Sequence, residues 1–235
     1  MKNILFIDIE TVSQTNEYNQ LSDAMKSHWS RKANFLKKEE EQTEELLYHE
    51  KAAIYAEFGK IIVIGIGFFA KDAQGDYTLR IKSLKGHDEK QLLIEFSQLL
   101  AQINNDNLQL CAHNGKEFDF PYLCRRMLVN GIKLPYVLNT SGKKPWEVNH
   151  LDTMQMWKFG DYKHYTSLDL LASIFGIESS KTTIDGSEVG KTYFEEKGLD
   201  RIAEYCMRDV AVTAQLYLKF NFIEEFNPEN IIYLS

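Results

Sequence analysis

The chain is short of cysteine, proline and positive charge, and it holds no long apolar run. Its three cysteines, Cys111, Cys124 and Cys206, include no Cys-x-x-Cys pair. That excludes a zinc ribbon or a disulfide framework as the organising device and suits a reducing cytosol. The four prolines among 235 residues form no Pro-rich linker, and neither an internal repeat nor a low-complexity tail is present, so one domain over residues 1–235 is expected. The longest apolar run, about Ile61–Ala70, is too short to span a bilayer. The N-terminal MKNILFIDIE reaches a carboxylate before a signal-peptide apolar region develops. The expectation is a cytoplasmic protein, with neither secretion nor membrane contact. Lys and Arg number 27 against 34 Asp and Glu, a formal net charge of −7. Bulk charge therefore does not draw the protein to duplex DNA, and any nucleic acid must be met through cations held locally.

What is present is ordinary globular material. With 44% hydrophobic and 26% charged residues, the chain is too apolar for disorder and long enough to bury a sizeable core. Ile4–Ile7 is a continuous apolar run that suits a strand covered on both faces, and Ile61–Phe69 is a second, rich in β-branched residues. Tyr77–Ser83 alternates apolar and polar side chains beyond a Gln74-Gly75-Asp76 turn, and Leu108–Ala112 is a fourth strand. Asp88 is placed to cap a helix whose apolar face carries Leu92, Leu93, Phe96, Leu99, Leu100 and Ile103. Further helices are expected over Phe120–Val129 (Pro121 in the first turn), Leu168–Phe175 (ended by Gly176) and Leu199–Phe222. Between the first two strands lies a polar helical insert, about residues 17–57, whose charge run Lys37–Glu45 reads as a solvated helix face. The order strand, insert, two strands, helix, strand, helix predicts a mixed α/β sheet flanked by helices, not an alternating Rossmann unit.

Three segments carry chemistry. Phe6-Ile7-Asp8-Ile9-Glu10-Thr11 leaves an apolar strand with two carboxylates two residues apart. Period-two geometry puts both on one face, where a divalent cation would relieve their mutual repulsion. Taken alone, polar residues there usually mark a strand's exit into a turn. His113-Asn114-Gly115-Lys116-Glu117-Phe118-Asp119 places an Asn-Gly turn after a strand and an Asp at a helix N-cap, with Phe118 as a core residue in the plain interpretation. Tyr205-Cys206-Met207-Arg208-Asp209 sets a Tyr and an Asp at i and i+4 of one helix, so both can face one pocket. Cys206 falls on a different helix face and reads as core. Arg125 and Arg126 read as surface residues, one of which could approach a phosphate, and Asp152 as a polar strand end that could line the cleft.

Together, FIDIET, then N-x-x-x-F-D, then Y-x-x-x-D resemble the three motifs of the DEDD superfamily of 3′–5′ exonucleases in its tyrosine-bearing subclass. The nearest likeness is to the stand-alone group related to the proofreading domain of family B DNA polymerases. It extends to Glu57–Ile62, Lys144-Pro145-Trp146 and Ile202–Leu218, most of the chain. The histidine subclass carries His five residues before its last Asp; here Glu204 stands at that position.

The resemblance implies a ribonuclease H-like fold and two divalent cations, Mg²⁺ or Mn²⁺, held by Asp8, Glu10, Asp119 and Asp209. It implies that Asp8, Glu10 and Asp209 hold the ion that activates water, that Asp8 also reaches the second ion, and that Asp119 acts partly through water. Tyr205 would orient the attacking water. Thr11 and Asn114 would lie near the terminal sugar or scissile phosphate, and Phe118 against the 3′-terminal base. The expected substrate is single-stranded nucleic acid, DNA favoured over RNA, degraded to 5′-mononucleotides. Apart from the resemblance, the loop Asn139–Val148, with Lys143, Lys144 and Trp146, is either a basic and aromatic aid to holding a single strand or a solvated Gly/Pro loop, and Lys163-His164-Tyr165 lies in a second loop that could face substrate. An RNA 3′-trimming enzyme and a non-catalytic nucleic-acid-binding module are the alternatives. At 235 residues proofreading in cis is not expected, whereas a polymerase or repair partner is possible in trans.

Overall fold

The computed structural model describes residues 3–36, 42–103, 107–161, 163–179 and 186–234. Its centre is a six-stranded mixed sheet of order β5-β4-β1-β2-β3-β6. Strand β1 (Ile4–Ser13) pairs antiparallel with β2 (Gly59–Lys71), which pairs antiparallel with β3 (Tyr77–Lys85). On its other side β1 pairs parallel with β4 (Gln109–Ala112), and β4 with the two-residue β5 (Leu151–Asp152). The expectation of a mixed sheet flanked by helices holds. The first strand runs further than its apolar start suggests, so Asp8 and Glu10 lie within it, not at its exit.

Alternation along β1 sorts the two layers. Leu5, Ile7 and Ile9 pack with Leu92, Leu93 and Phe96 of α3 (Glu89–Ile103) and with Leu123 and Met127 of α4 (Asp119–Val129). Ile4 and Phe6 face the other way and pack with Val210, Ala211 and Ala214 of α8 (Leu199–Phe220). Asp88 caps α3 as expected, its Oδ1 accepting from the Gln91 N–H at 3.1 Å. Helix α6 (Leu168–Phe175) ends at Gly176 in the left-handed region, φ +64°, which glycine adopts without steric cost. Helices α5 (Thr153–Lys158) and α7 (Val189–Phe194) and the short strand β6 (Ile231–Tyr233), parallel to β3, had no clear periodicity in sequence. Segments of six residues or fewer are too short to display one.

The insert is two helices, α1 (Asp23–Leu36) and α2 (Glu44–Lys51), with an apolar cluster of their own. Trp29, Leu47 and Tyr48 are buried in it with Phe58, and the Trp29 indole N–H donates to the Glu44 carbonyl at 2.8 Å. Of the charge run, Lys37–Glu41 and their pairings lie outside the described residues. Glu44 departs from a solvated face, since its carboxylate accepts from Tyr18 at 2.9 Å and from Ser30 at 2.6 Å. Among the described residues, no helix is long and apolar enough to cross a membrane.

Candidate active site

Two glycines let α8 lie close against the sheet. Gly65 stands opposite Asp8 and Gly67 opposite Phe6 in the antiparallel register. A Cβ at Gly65 would come within 2.9 Å of both Cys206 Sγ and Val210 Cγ2, and one at Gly67 within 2.7 Å of Val210 Cγ1. That approach carries Tyr205, Cys206 and Asp209 over the face of β1 that holds Asp8 and Glu10. Beside Glu10 the register shifts: Glu10 pairs with Val63 and Thr11 with Ile61, leaving Ile62 as the extra residue of a bulge on β2. Bulges of this kind re-aim side chains next to sites.

Asp119 reaches the same place from the opposite layer. It is the first residue of α4, and Phe118, not Asp119, occupies the N-cap position without a side-chain cap bond. The carboxylate is used elsewhere, Oδ1 accepting from the Ile9 N–H at 3.1 Å. Pairing of β1 with β4 ends at Phe6, so the buried Ile9 N–H needs a partner from outside the sheet.

The acids come from three segments distant along the chain and raise one another's proton affinity. Asp119 is 3% exposed, and Glu10 and Asp209 are each 8% exposed. Burial foremost, then the charges of Glu10, Asp209 and Asp119, holds the Asp8 carboxyl well above the usual range. Burial, then Asp209 and Asp119, does the same to Glu10. Asp119 is raised to about 7, chiefly by burial, against the hydrogen bonds it accepts and with Asp152 and Asp209 adding to the rise. Four carboxyl groups whose mutual repulsion raises their proton affinity offer oxygen donors of the kind hard divalent cations take. Ligand atoms of Asp8, Glu10 and Cys206 lie within 4.8 Å of one another, a group able to hold a metal ion. The Tyr205 hydroxyl bonds to the Asp209 carboxylate, and burial followed by Asp209, Glu10 and Asp8 pushes its pKa up. The phenol therefore stays protonated at neutral pH.

Cys206 is a core residue as expected, packed with Val12, Ile62, Val63 and Ile202, and it also touches the acids, which sequence reasoning did not foresee. Its thiol donates to Asp8 Oδ2 at 3.2 Å and to the Asp8 carbonyl at 3.4 Å. Tyr205 and Cys206 are neighbours on α8, yet both lie over β1 because the helix rests flat across β1 and β2. The available signal was spacing: Cys206 is three residues before Asp209, hence on its face of the helix.

The remaining expected residues are accounted for by local bonding. Thr11 Oγ1 donates to the Ala53 carbonyl at 2.9 Å, which also accepts from Tyr122 at 2.8 Å, so the insert is tied to β1 beside the acids. Asn114 has φ +64° at the turn after β4, and its N–H donates to Asp152 Oδ1 at 3.0 Å. Phe118 is half-buried against the core, its ring 5.3 Å from that of Tyr122. Asp152 is a clamp more than a strand end: buried, it accepts from the N–H groups of Asn114, Lys116, Met154 and Gln155 and so fixes the turn leading to Asp119. Arg125 is exposed, but Arg126 corrects its surface assignment. It is 5% exposed and forks onto Glu89, Nε to Oε1 at 2.9 Å and Nη2 to Oε2 at 2.6 Å. Its planar head finds a buried carboxylate that no local pattern announces. Lys143 lines a cavity of about 770 Å³ with Lys133, Tyr136 and His150, none of the four acids among its lining residues. The Lys144 ammonium stands 5.2 Å from the ring of the exposed Trp146.

A family model described as a predicted 3′-5′ exonuclease related to the exonuclease domain of PolB matches residues 54–231. That stretch includes Asn114, Phe118, Asp119, Tyr205 and Asp209 and begins beyond β1. DNA polymerase 1 of Pyrococcus abyssi is 28% identical over 194 residues, covering 75% of this chain and 24% of that protein. The DNA polymerase of Pyrococcus glycovorans is 27% identical over 197 residues with the same coverages, 75% and 24%. The chain thus spans about a quarter of the length of the curated polymerases it matches. Among solved structures, the family B DNA polymerase of the hyperthermophilic archaeon Pyrobaculum calidifontis aligns with TM-score 0.58 at 16% identity, over 93% of this chain and 24% of that one. This likeness is one of fold, the α/β ribonuclease H-like mixed sheet.

Proposed function

The chain belongs to the predicted 3′-5′ exonucleases related to the exonuclease domain of PolB, and from that premise we propose that it hydrolyses single-stranded or frayed 3′ ends of DNA to 5′-mononucleotides. One observation carries the reading. Asp8, Glu10 and Asp119 are each raised by burial and by the charges of other acids, Asp209 among them in every case.

Asp8, Glu10, Asp119 and Asp209 would hold two divalent cations, Mg²⁺ or Mn²⁺. Bound there, such ions supply charge stabilisation to the attacking and leaving oxygens of an in-line displacement. The protein's own part is positional. The Ile9 N–H fixes the Asp119 carboxylate, and the Cys206 thiol fixes that of Asp8. Tyr205, protonated at neutral pH, presents a hydroxyl that can orient water and cannot serve as its base. Phe118, beside Asp119, offers an aromatic edge to a terminal base, a sequence-tolerant contact of about 1–3 kcal/mol. Asn114 and Thr11 would steady the terminal nucleotide.

The test is degradation of 3′- and 5′-labelled DNA and RNA with Mg²⁺ or EDTA. Mononucleotides released from the 3′ end of DNA, and none in EDTA, are expected. Activity that survives EDTA, or shortening from the 5′ end, contradicts the assignment, and a preference for RNA replaces its substrate.

A further inference from the structure

Cys206 is the only donor in the cluster that hard cations do not call for. Magnesium-like ions take oxygen ligands, whereas Zn²⁺ binds thiolate and carboxylate alike. The sulfur is fully buried, 3.2 Å from Asp8 Oδ2, and its ligand atom lies within 4.8 Å of those of both Asp8 and Glu10. Glu10 is 8% exposed, so the donors are held by packing and need little ordering on binding. With Zn–O of about 2.1 Å and Zn–S of about 2.3 Å, donors 3.2 Å apart subtend roughly 90° at a shared ion. Opening that angle to a tetrahedral one separates them by about 0.4 Å, within the reach of side-chain rotation.

We propose that Asp8, Glu10 and Cys206 form a binding site for thiophilic divalent cations, Zn²⁺ foremost, with the Cys206 sulfur as a direct ligand. This rests on the metal-binding reading of Asp8 and Glu10 given above. The S–H bond is replaced by a sulfur–metal bond, and the thiol proton leaves to solvent. Because Asp8 serves both kinds of ion, a thiophilic ion seated there excludes the hard cations. The site is then blocked by Zn²⁺ through a sulfur that is not itself a ligand of Mg²⁺. Cys111, buried in the core among Ile4, Phe6 and Val210, and Cys124, bonded to the Leu138 carbonyl, lie in other surroundings.

The experiment titrates the full-length protein with Co²⁺ and reads thiolate-to-metal charge-transfer absorption, then displaces the Co²⁺ with Zn²⁺. One such band per chain is expected, lost in Cys206→Ser and in Asp8→Asn. Zn²⁺ affinity should fall by more than roughly 100-fold in Cys206→Ser, beyond the 10–100-fold typical of a group that only supports a ligand. A band that persists in Cys206→Ser, or an affinity loss below tenfold, overturns the proposal. Should the variants fail to fold, X-ray absorption of Zn²⁺-loaded wild-type protein decides. A sulfur neighbour at about 2.3 Å supports the proposal and an all-oxygen shell sinks it. Nuclease assays keep the two readings apart. A Cys206-dependent band in a protein without nuclease activity refutes the exonuclease and keeps the thiophilic site; Mg²⁺-dependent activity without the band does the reverse.

Discussion

Asp119 offers a quantitative test of the acidic site. Its carboxyl is raised from 3.8 to about 7 by burial and by neighbouring acids, so below that pH a cation engaging it must first displace a proton. At pH 6 about nine-tenths of a group with this pKa is protonated, and at pH 8 about one-tenth. The penalty on apparent affinity is about 11-fold at the lower pH and about 1.1-fold at the higher. The ratio, about tenfold, equals about 1.4 kcal/mol. Asp8 and Glu10, raised by burial first and then by acids, steepen the dependence in the same sense. The sign runs opposite to that of the metal-free protein. There, the raised carboxyl contributes stability that is fully present below its unfolded pKa and lost as pH rises through about 7. His113 and His150 act the other way. Burial lowers both, so their contribution is present above the unfolded value and lost as pH falls. They bond to Thr153 and Thr166, and to Leu110 and Val137, not to the acid quartet. Their effect therefore cancels when unfolding in Mg²⁺ is compared with unfolding in EDTA at each pH. At fixed Mg²⁺ well above its dissociation constant, the stabilisation by the ion should grow by at least about 1.4 kcal/mol from pH 6 to pH 8. That is about 3–6 °C in melting temperature for a chain of this size. Asp119→Asn should flatten the curve by that amount. A metal-induced stabilisation that is constant or shrinks with rising pH refutes the reasoning.

Four further outcomes follow from the same contacts. Asp8→Asn should reduce 3′-end hydrolysis on the order of 10³-fold, the scale of removing a preorganised electrostatic group; a rate within tenfold of wild type would remove Asp8 from the chemistry. Tyr205→Phe should slow turnover roughly 10–100-fold, about the worth of one or two hydrogen bonds. Calorimetric Mg²⁺ affinity should not change, and a large loss of it would make the tyrosine a structural support for Asp209. Gly65→Ala places a methyl 2.9 Å from Cys206 Sγ and Val210, and denaturant unfolding should show a loss of about 1–3 kcal/mol as α8 is lifted. An unchanged midpoint would mean that the helix yields freely. Arg126→Met strands the buried Glu89 carboxylate, which also accepts from the Ile61 N–H at 2.8 Å. Its expected cost is about 3–5 kcal/mol, and Arg126→Met combined with Glu89→Gln should recover part of it.

Periodicity along single segments was readable without coordinates. Alternation on β1 fixed which face Asp8 and Glu10 share, and the i, i+4 spacing put Tyr205 and Asp209 on one side of α8. Asp88 and Gly176 marked the helix ends that the structure has. Each of these depends on residues within about five positions of one another, where backbone geometry alone sets direction. What the tertiary structure decided lies between segments. The close seating of α8 depends on Gly65 and Gly67 standing opposite β1. The placement of Asp119 depends on where the β4 ladder stops and leaves the Ile9 N–H to be satisfied. Cys206 became a neighbour of Asp8, and Arg126 a buried partner of Glu89, across 198 and 37 residues of chain. A side chain's direction is written by its neighbours in sequence. The group it meets is chosen by the packing of layers, and no local pattern records that choice.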